Sequence, residues 1–191
     1  MIYDQELMTR LEEFLKENLK DHRLEHTYAV AEEAVKLAEH YGADKDKAYL
    51  AAMFHDMYRN LPNNVMNMYI RHFKLPERYC NNSNLAHSKL AASVMANNYD
   101  IDDQELIDAV SYHTTGRADM SLLEKIVFIA DAIEPGRSYP GVNRIRTAAY
   151  EDINRACMLS LEGTVNFLRS KDAYIDPDTI EALEYLKGAK L

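Results

Sequence analysis

The sequence has few cysteines, no excess of basic residues and no long apolar run, and each shortage excludes a class of protein. Its two cysteines form no Cys-x-x-Cys pair and make a poor disulfide framework, so we expect reduced thiols in a cytoplasmic protein. Basic residues number 22 against 31 acidic ones, and the net charge of −9 argues against nucleic acid or an anionic membrane as a partner. The first residues lack a cationic-then-apolar signal pattern, and no apolar run reaches membrane-spanning length.

Strand patterns, internal repeats and linkers are also absent, and apolar residues recur at helical spacing instead. Helices are predicted at about 3–19, 22–41, 44–58, 63–73, 86–98, 103–113, 121–133, 150–169 and 178–187. Loops are predicted at 76–84 and 137–142, where asparagine, proline and glycine are concentrated. With 191 residues, the chain has the length of one domain with a sizeable core. The prediction is a single all-α domain covering residues 1–191.

The dipeptide His55-Asp56 is the most informative feature of the chain, because it follows the apolar stretch from Ala48 to Phe54. Burying an imidazole and a carboxylate side by side is costly unless something pairs with both. A divalent metal ion accepts a neutral ring nitrogen and an anionic oxygen together. The dipeptide therefore predicts a metal site.

Four further residues are candidates for the same site, and each has a structural interpretation when taken alone. His26 and Asp131 lie in apolar segments, where a hydrogen-bonded core histidine and a buried salt bridge are the alternatives to metal binding. His87 begins one predicted helix and His113 ends another, so either could cap a helix or be exposed.

Taken together, the order His26, His55-Asp56, Asp131 resembles the HD superfamily of metal-dependent phosphohydrolases, and in particular the branch of bacterial symmetrical diadenosine tetraphosphate hydrolases. The resemblance covers almost the whole chain. It is carried by the segments 22–27, 54–56, 86–87, 113–117, 120–125, 130–137, 139–142 and 176–179.

The resemblance implies a helical HD-domain fold with a core at about 20–135, closed over a nucleotide by C-terminal helices at 150–188. It implies one metal ion, iron in this branch, held by His26, His55, Asp56 and Asp131. On ligand softness alone these residues suit manganese or zinc equally. A second ion at His87 and His113 is left open.

The resemblance also implies a small-molecule nucleotide substrate, cut symmetrically into two ADP, and leaves open a homodimer. Its catalytic residues would be Asp56, His87 and His113. Substrate would be bound by Arg23, Asp56, Arg59, His87, His113, Asp131, Arg137, Tyr174, Ile175, Asp176, Pro177, Asp178 and Thr179. Arg59 stands where many relatives have a lysine, which keeps the charge but changes its geometry.

Three alternative functions are also compatible with the sequence. An HD site could act on another nucleotide, such as a nucleoside monophosphate, a guanosine polyphosphate or a cyclic dinucleotide. The segment from His22 to His26 also satisfies His-x-x-Glu-His, the inverted zinc-peptidase signature, with Glu25 as base. Finally, the histidines and aspartates could be satisfied core groups of a helical interaction module.

Overall fold

The computed structural model describes residues 5–188, which form ten α-helices, one short 3₁₀ turn at Glu77–Tyr79 and no strand. The predicted all-α fold is therefore confirmed. The helices are α1 (Gln5–Asn18), α2 (Asp21–Tyr41), α3 (Lys45–Phe54), α4 (Asn63–His72), α5 (Ser83–Asn98), α6 (Gln104–Tyr112), α7 (Leu122–Ile133), α8 (Val142–Glu151), α9 (Ile153–Ser170) and α10 (Pro177–Gly188).

Local sequence signals fix several helix ends. Gly42 ends α2 with a φ of 69°, the left-handed conformation that glycine adopts without strain. Ser121 and Glu124 form a reciprocal capping box at the start of α7. Asp44 caps α3 by accepting hydrogen bonds from two backbone N–H groups.

The largest differences from the predicted helices lie at α3, α5 and α8. Helix α5 begins at Ser83, inside the loop predicted at 76–84. Helix α3 ends at Phe54, and His55 begins a series of turns, so the His-Asp pair lies just beyond the helix. Helix α8 was not predicted, because it begins at the end of the loop predicted at 137–142 and fills the stretch before the next predicted helix at about 150. Its buried face is Val142, Ile145, Ala148 and Ala149, a helical spacing that the neighbouring proline and glycine obscured.

A single hydrophobic core runs through the described residues, from Met8 in α1 to Leu186 in α10. Helix α7 lies at its centre, since it packs against α2, α3, α6, α8 and α9. Both cysteines are free thiols, as expected. Within residues 5–188, no helix combines the length and the apolar character that crossing a membrane would require.

Candidate metal centre and nucleotide cavity

Helices from distant parts of the chain bring the predicted metal ligands together. His26 projects from α2, His55 and Asp56 follow the end of α3, and Asp131 lies near the end of α7. His26 Nε2 is 3.1 Å from Asp131 Oδ1 and 3.8 Å from Asp56 Oδ2. His55 Nε2 is also 3.8 Å from Asp56 Oδ2. His26, His55 and Asp131 offer donor atoms that all lie within 4.8 Å of one another, and Asp56 lies beside both histidines.

Hydrogen bonds at the outer ring nitrogens fix the tautomers of three histidines. His55 Nδ1 donates to the carbonyl of Ala52 at 2.5 Å, and His113 Nδ1 donates to that of Val110 at 2.8 Å. His87 Nδ1 donates to the Ser83 carbonyl at 2.9 Å. A carbonyl only accepts, so each Nδ1 carries the hydrogen and each neutral ring keeps a lone pair on Nε2. Such a bond at the outer nitrogen is the usual support of a metal-binding histidine.

His26 is oriented in the same way by Glu134, a residue that the sequence reasoning did not single out. His26 Nδ1 lies 3.1 Å from Glu134 Oε1, and Glu134 is only 5% exposed. The Glu134 carboxylate also accepts the backbone N–H of Gly136. Glu134 lies 108 positions from His26 in the chain, so only the fold reveals the pairing.

Two buried ring nitrogens test whether this centre fits a metal ion. His26 Nε2 and His55 Nε2 have no hydrogen-bond partner within residues 5–188. His26 Nε2 faces the anionic Asp131 oxygen at 3.1 Å, a contact that needs either a proton on Nε2 or a metal ion between the two atoms. Two groups have donor atoms within 4.8 Å of one another, His26–His55–Asp131 and His55–Asp56–His113. This nitrogen and carboxylate donor set fits a divalent transition metal.

His87 and His113 extend the centre on the side of Asp56. His87 Nε2 lies 3.1 Å from His113 Nε2 and 3.1 Å from Asp56 Oδ1. Because both Nδ1 atoms already carry hydrogens, two Nε2 lone pairs at this distance require a shared proton or a cation. We call these six residues the histidine–aspartate centre: His26, His55, Asp56, His87, His113 and Asp131.

The histidines differ in how easily they gain a proton. Burial lowers the pKa of His55, and it lowers the pKa of His113 to about 3. Burial also acts to lower the pKa of His26, but the adjacent Asp131 carboxylate outweighs it, and the pKa is raised. His55 and His113 are therefore neutral near pH 7, the form that binds metal.

Both aspartates are held ionised. Burial acts to raise the pKa of Asp56, but the neighbouring His55 and His87 hold it well below the usual carboxyl value. Burial acts in the same direction on Asp131, and His26 and Arg137 lower its pKa further than burial raises it. Two buried carboxylates that stay anionic are strong ligands for a cation.

Asp56, His87 and Asp131 of the centre line a cavity of about 620 Å³ whose walls also carry three arginines. Arg23 donates to Asp56 Oδ2 at 3.0 Å. Arg137 donates two hydrogen bonds to Asp131, one to its side-chain oxygen and one to its backbone oxygen. Arg59 donates to Asn84 Oδ1 at 2.7 Å. In a chain of net charge −9, this cluster makes a local cationic surface suited to phosphate groups.

The segment between α9 and α10 closes one side of this cavity. Tyr174, Asp176 and Thr179 line it, and Tyr174 is 54% exposed. Ile175 packs against the core, and Pro177 begins α10. Three of the predicted substrate residues in this segment therefore face the cavity, whereas the others hold the segment in place.

Two cations anchor the same segment, and neither was predicted from sequence. Arg78 lies 3.3 Å from Asp176 and 3.2 Å from Asp178. Lys89 Nζ lies 3.7 Å from Asp178 and 3.4 Å from the centre of the Tyr112 ring, and only 7% of Lys89 is exposed. We call Arg78, Lys89, Asp176 and Asp178 the latch cluster.

Gly116 shows why α10 can approach the centre. It follows His113 by three residues with a φ of 64°, and a Cβ added there would lie 3.2 Å from the Ala182 Cβ on α10. Glycine is therefore required both by the backbone conformation and by the close contact.

The inverted zinc-peptidase arrangement does not form. His22 and Glu25 are exposed on α2, whereas His26 points to the centre. Among residues 5–188, neither metal-competent group contains His22 or Glu25. The signature in the sequence is a coincidence of spacing.

The fold is an all-helical bundle, and its adjacent His-Asp pair meets a histidine and an aspartate from other helices. This combination is the one that defines HD-type metal-site proteins. In agreement with this, residues 23–136 match the family model of the HD domain. The chain has a TM-score of 0.91 and 37% identity to the crystal structure of a predicted HD superfamily hydrolase involved in NAD metabolism from Clostridium acetobutylicum, covering 96% of this chain and 98% of that one.

Curated relatives specify the branch. The chain is 42% identical over 91% of its length to the symmetrical bis(5′-nucleosyl)-tetraphosphatase of Halalkalibacterium halodurans, and covers 94% of that protein. It is 38% identical over 90% of its length to the Bacillus subtilis protein of the same name, and covers 93% of it. The chain therefore belongs to the HD-domain family and, within it, to the symmetrical bis(5′-nucleosyl)-tetraphosphatases.

Proposed function

We propose that the chain hydrolyses diadenosine tetraphosphate symmetrically into two molecules of ADP. The names and coverage of the bacterial relatives support this substrate. The observation that carries the proposal is the histidine–aspartate centre itself, which has two buried, unpartnered Nε2 atoms and reaches an arginine-lined cavity through Asp56, His87 and Asp131. A polyphosphate chain needs both features, a Lewis acid for the reacting phosphorus and cations for the remaining oxygens.

The proposed cofactor is one divalent transition metal ion held by His26, His55, Asp56 and Asp131. Two imidazoles and two carboxylates without a thiolate suit iron, which we propose, and they also suit manganese and zinc. When bound, the ion would supply Lewis-acid activation of water and of a phosphate oxygen. A second ion at His87 and His113 is the alternative to a proton shared between their Nε2 atoms.

The arginines are proposed to bind and orient the phosphates. Arg23 and Arg137 each already touch a carboxylate of the centre, so a phosphate held by them lies next to the metal ligands. Arg59 also lines this cavity, where it donates a hydrogen bond to Asn84 that orients its guanidinium. Preorganised guanidinium groups of this kind stabilise charge that builds up during phosphoryl transfer.

Asp56, His87 and His113 are proposed as the catalytic residues. His87 Nε2 contacts both Asp56 and His113, so a proton held there lies between an anion and a neutral ring. Delivery of that proton to an oxygen of the departing ADP would neutralise its developing charge. Asp56 Oδ1 would then orient the His87 ring while Oδ2 faces the metal ligands.

The C-terminal helices are proposed to close the site over one nucleoside. In this arrangement the region at about 20–135 supplies the catalytic core, and helices within 150–188 supply the cover. Tyr174 offers an exposed aromatic ring at the cavity wall, and Asp176 and Thr179 offer polar groups beside it. The substrate-binding roles of Ile175, Pro177 and Asp178 stay predictions.

A cytoplasmic location and a homodimer complete the proposal. The free thiols of Cys80 and Cys157 are consistent with a reducing compartment. The homodimer stays a prediction from resemblance.

Product analysis tests the proposed function. Iron-loaded protein is incubated with diadenosine tetraphosphate, a nucleoside monophosphate, a guanosine polyphosphate, a cyclic dinucleotide and NAD, and the products are separated by chromatography. We expect ADP as the sole product. We expect it from diadenosine tetraphosphate and from no other compound in this panel. AMP plus ATP would contradict symmetrical cleavage, and turnover of another nucleotide instead would indicate a different HD phosphohydrolase. Glu25→Gln serves as a control that should retain full activity, since Glu25 lies outside the centre.

A further inference from the structure

A second cavity, which we call the outer pocket, lies directly beside the cavity of the histidine–aspartate centre. It encloses about 610 Å³ between the loop at Tyr139, helix α8 and helix α9. Thr164, Phe167 and Leu168 on α9 line both cavities, so the two spaces share one wall. The two cavities are therefore immediate neighbours along α9.

The lining of the outer pocket suits an aromatic base better than a phosphate. Phe167 is 61% exposed and Tyr139 is 39% exposed, and both rings face accessible space although rings of this size are usually buried. Arg144 supplies a positive charge in the lining and forms no ion pair with any of residues 5–188. Flat apolar surfaces with a nearby guanidinium are typical of sites where bases stack.

The proposed substrate extends from the reacting phosphorus in two directions. Symmetrical cleavage requires the reacting phosphorus to lie at the metal ligands, with a nucleoside on each side of the phosphate chain. The wall at Tyr174 serves one nucleoside, and the other must leave the centre in a different direction. Arg137, which lines the first cavity, is only two residues from Tyr139, which lines the outer pocket, so a single loop connects the phosphate region to the second space.

We propose that the outer pocket is the subsite for the second nucleoside of the dinucleoside tetraphosphate, a proposal that rests on the function proposed above. The base stacks against Phe167 or Tyr139, and Arg144 faces the ribose or the adjoining phosphate. The subsite thereby accounts for selection of a substrate with two nucleosides over a mononucleotide.

Gly163 provides a direct test, because it lines the outer pocket but not the first cavity. A Cβ added to Gly163 meets nothing within 4 Å, so a larger side chain grows into open space. Replacing a glycine within α9 also favours the helix. Gly163→Leu and Gly163→Gln fill the pocket with apolar and polar atoms respectively, and Gly163→Ala is the matched control that leaves it open.

The metal-loaded variants are compared on diadenosine tetraphosphate and on adenosine 5′-tetraphosphate, which has the same phosphate chain but one nucleoside. We expect Gly163→Leu and Gly163→Gln to lower kcat/KM for the dinucleoside by about tenfold, the order expected for loss of one stacked base. The same variants should change kcat/KM for the mononucleoside by less than about twofold. An equal loss on both substrates, or no loss on the dinucleoside, would overturn the subsite.

A binding measurement separates failure of the subsite from failure of the proposed function. Calorimetry of metal-loaded protein with an uncleavable methylene-bridged analogue of diadenosine tetraphosphate should show tighter binding than with ADP, and filling the pocket should remove that advantage. If wild-type protein binds the analogue in this way but does not cleave the natural compound, the proposed function fails and the subsite stands. If Gly163→Leu binds the analogue as tightly as wild-type protein, the subsite is wrong whatever the activity.

Discussion

Helix α5 carries a member of the histidine–aspartate centre, His87, and a member of the latch cluster, Lys89. Both side chains are almost completely buried. In the latch cluster, each cation faces a carboxylate of the same segment, at 3.2 to 3.7 Å. In the centre, by contrast, ring lone pairs face a carboxylate or one another.

This difference indicates which cluster is structural and which requires a ligand. Buried charges are tolerated when opposite charges pair with them, and both cations of the latch cluster are paired with a carboxylate, although Asp176 Oδ2 has no hydrogen-bond partner among residues 5–188. The centre has an excess of acceptors, because its imidazoles donate outward to Ala52, Ser83, Val110 and Glu134. A cation removes that excess. The two clusters should therefore respond in opposite ways to mutation and to added metal.

The largest effect is expected for Asp131→Ala, which removes an anionic ligand of the centre. Metal content should fall, and activity on diadenosine tetraphosphate should fall by about a thousandfold, since a bound ion supplies several kcal/mol of stabilisation to the transition state. Metal analysis of the purified protein and steady-state kinetics measure the two quantities. Asp131→Asn keeps the shape as a control for folding. Full activity with the metal lost would contradict the role assigned to Asp131.

An intermediate effect is expected for Glu134→Gln, which keeps a hydrogen-bond acceptor for His26 but removes its charge. Metal affinity should fall about 10- to 100-fold, the range seen when the partner of a metal-binding histidine is changed. Activity should recover when metal is added in excess. Glu33→Gln is the matched control, because Glu33 is also buried and accepts a hydrogen bond from Tyr150 away from the centre. Loss of activity that excess metal does not restore would count against this role.

How far the sequence anticipates the centre depends on where each residue lies. His55 and Asp56 are adjacent and follow an apolar stretch, so their role could be predicted locally. His26, His87, His113 and Asp131 could be grouped only through the resemblance to the HD superfamily. The structure now places all six within a single cluster.

The residues that were missed act through contacts between distant elements. Glu134 orients a histidine in α2, and Arg78 and Lys89 reach carboxylates about ninety to a hundred residues away. A glutamate beside a proline, or a single lysine within a helix, is typical of a solvated surface and carries no local signal. Helix α8 was missed for a different reason, because Pro140 and Gly141 indicate a loop up to the residue where the helix begins.

The smallest effect is expected for Lys89→Met, which keeps the apolar stem and removes the charge from the latch cluster. The segment at Tyr174 should close less tightly, so KM should rise by up to about 30-fold, the equivalent of a desolvated cation–π contact of about 2 kcal/mol. Both kcat and metal content should stay close to wild type. Lys47→Met, which breaks a pair with Asp103 far from the cavity, is the control. A loss of metal in Lys89→Met would mean that the two clusters are not independent.

Anomalous X-ray diffraction from crystals grown with ferrous iron under anaerobic conditions tests the central claim most directly. We expect a strong iron peak within about 2.5 Å of His26 Nε2, His55 Nε2 and the carboxylates of Asp56 and Asp131. The latch cluster should show no peak. Iron bound elsewhere, with these four side chains left uncoordinated, would contradict the account.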